Sequence, residues 1–330
     1  MRVTRAASVR PVAWVALLLV MVMALARTSP DAGAEERTGR LAAVTNWGYQ
    51  LQEPRIAHLA GSPHDLLVID ASRDGSDEGA FKAADIAAIK RRPDGGQRIV
   101  LAYLSIGEAE TYRGYWRWYW GGRWYSRWFG WALAPSWLGP ENGEWRGNYA
   151  VRYWDPAWQA RILGPGGHIE RIVAAGFDGV YLDKVDSSIE RIAKDRPPAR
   201  DDMREFVRRI ATAGRSARPG FLVVPQNGEE LLTDEGYVAL IDGIAKEDLL
   251  YGEFKDKAAN PDAAIAGRTA LLQRASKQGR TVLAVEYLDD TGRIAAARER
   301  LETLGFVPYF ADRPLETLRY GDLPASAETR

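Results

Sequence analysis

The sequence predicts an α/β protein, a single (β/α)8 TIM barrel with a long Trp-rich insertion after strand three. Three observations carry this. Eight short runs of β-branched and aliphatic residues recur along the 330 residues, and they are continuous rather than alternating, as parallel strands covered by helices require. Stretches with apolar residues at three- and four-residue intervals separate them. No repeat, low-complexity tract or linker divides the chain, and eight units in about 290 residues after a leader suit one closed barrel. An open doubly wound sheet is the rival arrangement.

Strand one is expected at residues 42–47 (AAVTNW), strand two at 66–70 (LLVID) and strand three at 99–104 (IVLAYL). Strands four to eight are expected at 179–183 (GVYLD), 221–225 (FLVVP), 241–245 (IDGIA), 281–286 (TVLAVE) and 306–310 (FVPYF). Helical periodicity marks 83–91, 158–175, 202–215, 263–277 and 293–304. Gly and Pro clusters such as RRPDGG (91–96) and RPG (218–220) read as helix-to-strand turns. The GPGG at 164–167 interrupts a helical stretch and is no phosphate fingerprint. Between Ser105 and Asp155 the rhythm fails for about 50 residues, and so long a connection is more often functional than idle. Ten of the twelve tryptophans lie from Trp116 to Trp158, at no single helix or strand period. They serve either as a platform for a ligand or as packing for the insertion.

The first residues place Arg2, Arg5 and Arg10 ahead of an apolar run and then small residues, the order of a secretory signal peptide. Cleavage fits after Ala26 or after Ala34. The domain reading is therefore 1–34 signal peptide, 41–315 catalytic barrel and 316–330 tail, in a secreted protein with no lasting membrane anchor. Formal net charge is zero, so no basic excess exists to neutralise a phosphate backbone, and nucleic acid is not an expected partner. With no cysteine, thiol catalysis, thiolate metal sites and disulfides are absent. His58, His64 and His168 are the only histidines, lack metal-ligand spacing and read as surface residues. No metal and no cofactor is expected.

Acids gather where the strands end. Asp70 closes strand two, Glu108 and Glu110 follow strand three, Asp183 closes strand four with Asp186 just beyond, and Asn227 follows strand five. Glu247 follows strand six, while Glu286, Tyr287 and Asp289 follow or end strand seven. In a parallel barrel these ends share one rim, the face that carries reacting groups. The alternative for several of them is helix capping. Carboxylates without a histidine base, thiol, nucleophile elbow or metal set favour glycoside cleavage, which needs one carboxylate and one carboxylic acid. Lys184 and Lys246 leave a Schiff-base lysine as a lesser reading.

The motifs WGYQLQ (47–52), YLSIGEAETYR (103–113), VRYW (151–154), GFDGVYLDKVD (176–186) and PQNG (225–228) resemble glycoside hydrolase family 114, the endo-α-1,4-polygalactosaminidase family. The resemblance runs in order through essentially the whole mature chain. It implies a (β/α)8 enzyme that cuts within α-1,4-linked galactosamine-containing polysaccharide with retention. Carried onto this sequence, it makes Asp183 the nucleophile and Glu247 the general acid/base, with Asp186 the alternative at the first position and Asp248 at the second. Substrate contacts are expected from Asp70, Glu108, Asp186, Asn227, Glu286 and Asp289, and ring contacts from Tyr103, Trp47 and Tyr287. A deacetylated galactosamine is a cation that an acidic mouth attracts. A non-catalytic sugar-binding barrel and a glycosidase of neutral α-linked polysaccharide are the other readings. The oligomeric state is not legible.

Overall fold

The computed structural model describes residues 30–120, 133–188, 193–194 and 196–319. The expected leader up to Ala26, Trp124, Trp128 and Trp131 lie outside the described residues. Eight parallel strands follow one another around the fold: β1 (Trp47–Gln50), β2 (Leu66–Asp70), β3 (Ile99–Ser105), β7 (Gly179–Asp183), β8 (Leu222–Pro225), β9 (Gly243–Glu247), β10 (Thr281–Glu286) and β11 (Val307–Phe310). The numbers β4 (Glu108–Glu110), β5 (Leu138–Glu141) and β6 (Asn148–Val151) belong to the insertion, which is an antiparallel sheet in the order β4-β6-β5. That sheet was not legible as strands, because its segments are three or four residues long and none is a continuous apolar run.

Parallel ladders join β1-β2-β3-β7-β8 and β9-β10-β11. The two are stitched together where Asp242 N donates to Val223 O (2.9 Å) and Asn227 N to Ala245 O (2.9 Å). On the other side β11 meets β1 through a side chain: the Trp47 indole donates to Val307 O at 2.9 Å, and its ring lies 5.4 Å from that of Tyr309. The segment after β11 covers this seam. Leu51 N and Gln52 N both donate to Leu315 O, the Gln50 amide to Glu316 O, and Leu318 is buried. Residues 316–319 are thus part of the fold rather than of a tail.

Strand one differs from its expected place. Residues 42–46 are the end of helix α1 (Pro30–Ala42) and a turn, and the strand starts at Trp47. The stretch AAVTNW is apolar for another reason: Leu41 and Val44 close the lower end of the barrel. Helix α1 lies across that end, with Arg37 bonded to Asp242 (3.0 Å) and Pro219 O, and Arg40 to Asp178 (2.9 Å) and Gly220 O. Asp178 and Asp242 sit just before β7 and β9, so these acids at the bottom face serve stability.

The other helices are α2 (Ile56–Gly61), α3 (Ala83–Lys90), α4 (Pro156–Leu163), α5 (His168–Ala175), α6 (Ala199–Ala217), α7 (Glu235–Leu240), α8 (Asp262–Lys277) and α9 (Thr291–Thr303). The single helix expected at 158–175 is α4 and α5, split by the GPGG turn, where Gly166 takes φ 69°. Most of the insertion's described tryptophans pack it down: ring contacts run from Trp116 to Trp120, Trp137 and Trp158, and the Trp158 indole donates to Ile106 O at 2.9 Å. One histidine was misjudged as a surface residue. His64 is buried, and burial, with Arg98 nearby, pushes it down to about 4, so it stays neutral. Among the described residues no helix is long and apolar enough to cross a membrane.

Candidate active site

Three adjacent strands end in the same backbone device. Lys184, Asn227 and Asp248 have φ of 61°, 57° and 54°, the left-handed region that L-residues other than Asn and Asp avoid. Lys184 and Asp248 directly follow β7 and β9, and Asn227 comes two residues after β8. For Lys184 this costs about 1 kcal/mol or more, a strain typical of functional sites, while Asn227 and Asp248 take the same conformation at less cost. Each turns the chain sharply, so that the preceding residue, Asp183, Gln226 or Glu247, stays with the strand's interior face. The Lys184 turn also aims its own N–H at Asp183 Oδ1, at 2.7 Å.

Among the described residues Asp183 receives three donors: Lys184 N, the Tyr103 hydroxyl on Oδ2 at 2.6 Å, and the Gln226 amide on Oδ1 at 3.1 Å. The same Gln226 nitrogen donates to Glu247 Oε2. Two hydrogen bonds sharing one nitrogen hold those two carboxylate oxygens within about 6 Å of each other. Asn227 also touches Glu247, its amide donating to Oε2 at 3.3 Å and its oxygen accepting from Glu247 N and from the Lys246 ammonium at 3.0 Å. Lys246 is held there, with Glu229 4.0 Å away, so it is not an unengaged amine.

The two acids are electrostatically unequal. Glu247 keeps some exposed surface, yet the atoms around its carboxyl desolvate it, and with the neighbouring Asp183 charge this pushes it up to about 7. Burial and Asp183 hold the Tyr103 hydroxyl well above its ordinary range, so it remains a donor. Tyr181, between Tyr49 and Trp47 in the barrel interior, is raised likewise by burial and then by Glu247 and Asp183. Its hydroxyl has no hydrogen-bond partner among the described residues. The arrangement sets an ionisable acid near neutrality beside a carboxylate supplied with donors, over a floor of neutral hydroxyls.

Of the expected residues, Asp183, Tyr103, Asn227 and Glu247 meet here, and Asp186 stands half-buried one short turn beyond Asp183. Strand six lies two residues later than expected, which makes Glu247 its last residue and turns Asp248 away into a two-pronged bond with Arg313 (3.0 Å each). Glu108 is buried on β4, accepts from the Asn142 amide at 2.8 Å and lies 3.7 Å from Lys184 Nζ. Tyr287 packs under the Arg313 guanidinium, 4.4 Å from its ring centre.

Others are placed elsewhere. Both Asp70 oxygens are taken by Arg113 (2.8 and 2.7 Å), which also binds Glu110 at 2.6 Å. Glu286 is 0% exposed and accepts from Leu250 N and Tyr251 N, and Asp289 is exposed and paired with Lys257. Trp47, 1% exposed, belongs to the barrel core and its seam, not to a ligand surface. Cations and caps therefore offset much of the expected acidic rim. Asp183 and Glu247 make no salt bridge among the described residues. Gln226 stands beside the expected Asn227 in the PQNG stretch but carried no expected role, because an amide at a strand end gains meaning only once both of its neighbours are known to be acids.

Comparison with known proteins bears on the family and the fold. The model of glycoside-hydrolase family GH114 matches residues 27–323. An uncharacterized protein of Deinococcus radiodurans is 35% identical over 283 residues, covering 84% of this chain and 83% of that one. One from Thermotoga maritima is 33% identical over 313 residues, covering 91% and 90%. Among solved structures, the glycoside hydrolase domain of PelA from Pseudomonas aeruginosa superposes with a TM-score of 0.60 at 19% identity, covering 83% of this chain and 97% of that domain, a likeness of fold. With its matched model spanning most of the sequence, the chain belongs to glycoside-hydrolase family GH114.

Proposed function

We propose that this glycoside hydrolase is exported and cuts internal bonds of α-1,4-linked galactosamine-containing polysaccharide by double displacement, with Asp183 as nucleophile and Glu247 as acid and base. The observation that carries the mechanism is the one amide nitrogen of Gln226 bonded to both carboxylates. An upper limit of about 6 Å between the bonded oxygens supports the close spacing of about 5 Å used by retaining enzymes over the wider gap of inverting ones. In the first step an Asp183 oxygen attacks the anomeric carbon, the glycosidic C–O bond breaks, and the Glu247 proton passes to the leaving oxygen. In the second, water attacks the same carbon, releases Asp183 and returns a proton to Glu247. A carboxyl raised to about 7 supplies that proton near neutral pH.

The substrate class follows from the motifs shared with the family, and Asp183, whose carboxylate makes no salt bridge among the described residues, is the acid at the mouth that a cationic sugar would meet. Export rests on the leader-like first residues.

Incubating the purified protein with partly deacetylated galactosaminoglycan and, separately, with neutral α-galactans, and counting new reducing ends, tests the reading. Cleavage of the first, with loss of at least about a thousandfold in rate on Asp183→Asn or Glu247→Gln, is expected. Cleavage of the neutral polymer alone overturns the substrate, and an active Asp183→Asn overturns the nucleophile.

A further inference from the structure

The insertion ends in a turn that presents a large ring to solvent and is held stiffly while doing so. Trp145 is 50% exposed, its side chain bonds to nothing, and it packs against no other aromatic ring among the described residues. Its backbone is the reverse. The Asn142 side-chain oxygen accepts from Glu144 N (2.9 Å) and Trp145 N (3.3 Å), and Asn148 N donates to Trp145 O (3.1 Å). Gly147, at φ 91°, gives its N–H to Glu141 and takes the N–H of Thr111, both at 2.9 Å. Leaving an indole in water forgoes its burial free energy, and a floppy surface turn would need none of these bonds.

The turn is also tied to the mouth. The other end of Asn142, its amide nitrogen, donates to Glu108, which lies 3.7 Å from the ammonium of Lys184, the residue after Asp183. In the order of strands the insertion rises between β3 and β7, on the side of the mouth where Asp183 stands.

Building on the glycosidase reading above, we propose that Trp145 is a subsite for a pyranose ring of the bound polysaccharide, stacking on the sugar's C–H face several residues along the polymer from the cleaved bond. A flat, exposed, preorganised ring suits a chain of repeating apolar faces, and its fixed backbone spares the ordering cost on binding.

The experiment uses the full mature chain in two backgrounds. Affinity electrophoresis measures retardation in gels containing each polysaccharide of the cleavage panel, and calorimetry on the Asp183→Asn background uses an oligosaccharide ladder of whichever polymer binds. Trp145→Ala is expected to weaken binding of long oligomers about tenfold and to leave disaccharide binding unchanged, while Trp145→Phe keeps most of the affinity. Equal affinity of Trp145→Ala and its parent at every length overturns the subsite, whether or not any polymer is cut. Absence of cleavage with Trp145-dependent retardation overturns the hydrolytic assignment instead and leaves the subsite standing; absence of retardation by any polymer sinks the subsite too.

Discussion

Gln226 joins Asp183 to Glu247, and that single amide makes the pH behaviour of the site predictable. In the proposed mechanism Glu247 must be protonated to serve the leaving oxygen, so the rate is expected to fall as pH rises through about 7. Gln226→Leu removes a donor that favours the charged form of both acids. The Glu247 carboxyl then rises further, and the falling limb of the pH–rate profile moves up by about half a unit or more. At the same time kcat drops about 10- to 100-fold from lost positioning. A merely structural role would lower the rate without moving the limb. Asp183→Asn acts the other way on the same carboxyl, removing a like charge and lowering it, which a titration of labelled Glu247 reads directly. At this scale the sequence showed Asp183 and Glu247 because each stands at the end of an apolar run. It concealed Gln226, which becomes meaningful only when its neighbours on both sides are known to be acids.

Strand β10 illustrates how an element can carry an acid to the rim and still spend it on architecture. Glu286 ends β10 and accepts the N–H groups of Leu250 and Tyr251, fixing the loop that follows β9 and thereby the end of the strand bearing Glu247. Burial pushes Glu286 up to about 8 from an ordinary 4.5. The folded protein thus holds a proton that the unfolded chain has released, and this contribution is complete below about 4.5 and lost as pH rises through about 8. Its loss is on the order of 4 kcal/mol. Thermal melts are expected to show Tm falling from pH 5 to pH 8, with Glu247 acting in the same direction, and Glu286→Gln is expected to flatten that slope. The variant should be about 1 kcal/mol less stable at pH 5, since an amide oxygen replaces two acceptors with one. A slope unchanged in the variant sinks this account. Helix α1 is the complementary case. Its Pro30–Ala42 run gave no helical reading because its inner face amounts to little beyond Leu41, which is held by the barrel's lower end rather than by its own periodicity. If the expected leader is removed, cleavage after Ala26 leaves this helix whole, whereas cleavage after Ala34 removes its first turn.

The whole barrel depends on a seam that no strand ladder closes. Between β11 and β1 the bond from the Trp47 indole to Val307 O stands in for a rung, with Leu315 and Glu316 fastening the segment above it. Trp47→Phe leaves that partly buried carbonyl without its donor and opens a small gap, so a loss of about 1–3 kcal/mol in urea unfolding, with an unchanged m-value, is expected. An equally stable variant would show that the seam is held by packing alone. By itself the sequence determined the class of fold and seven of the eight strands to within two residues, because a strand buried under helices must be a continuous apolar run. It also set out the acids at the strand ends, Asp183 and Glu247 among them, since a strand end marks the rim. Only the tertiary structure decided which acids remain available and which are matched by Arg113, Arg313 or backbone N–H groups. It also decided whether Trp47 faces a ligand or a seam. Those outcomes turn on partners distant in the chain, whose approach no local spacing records.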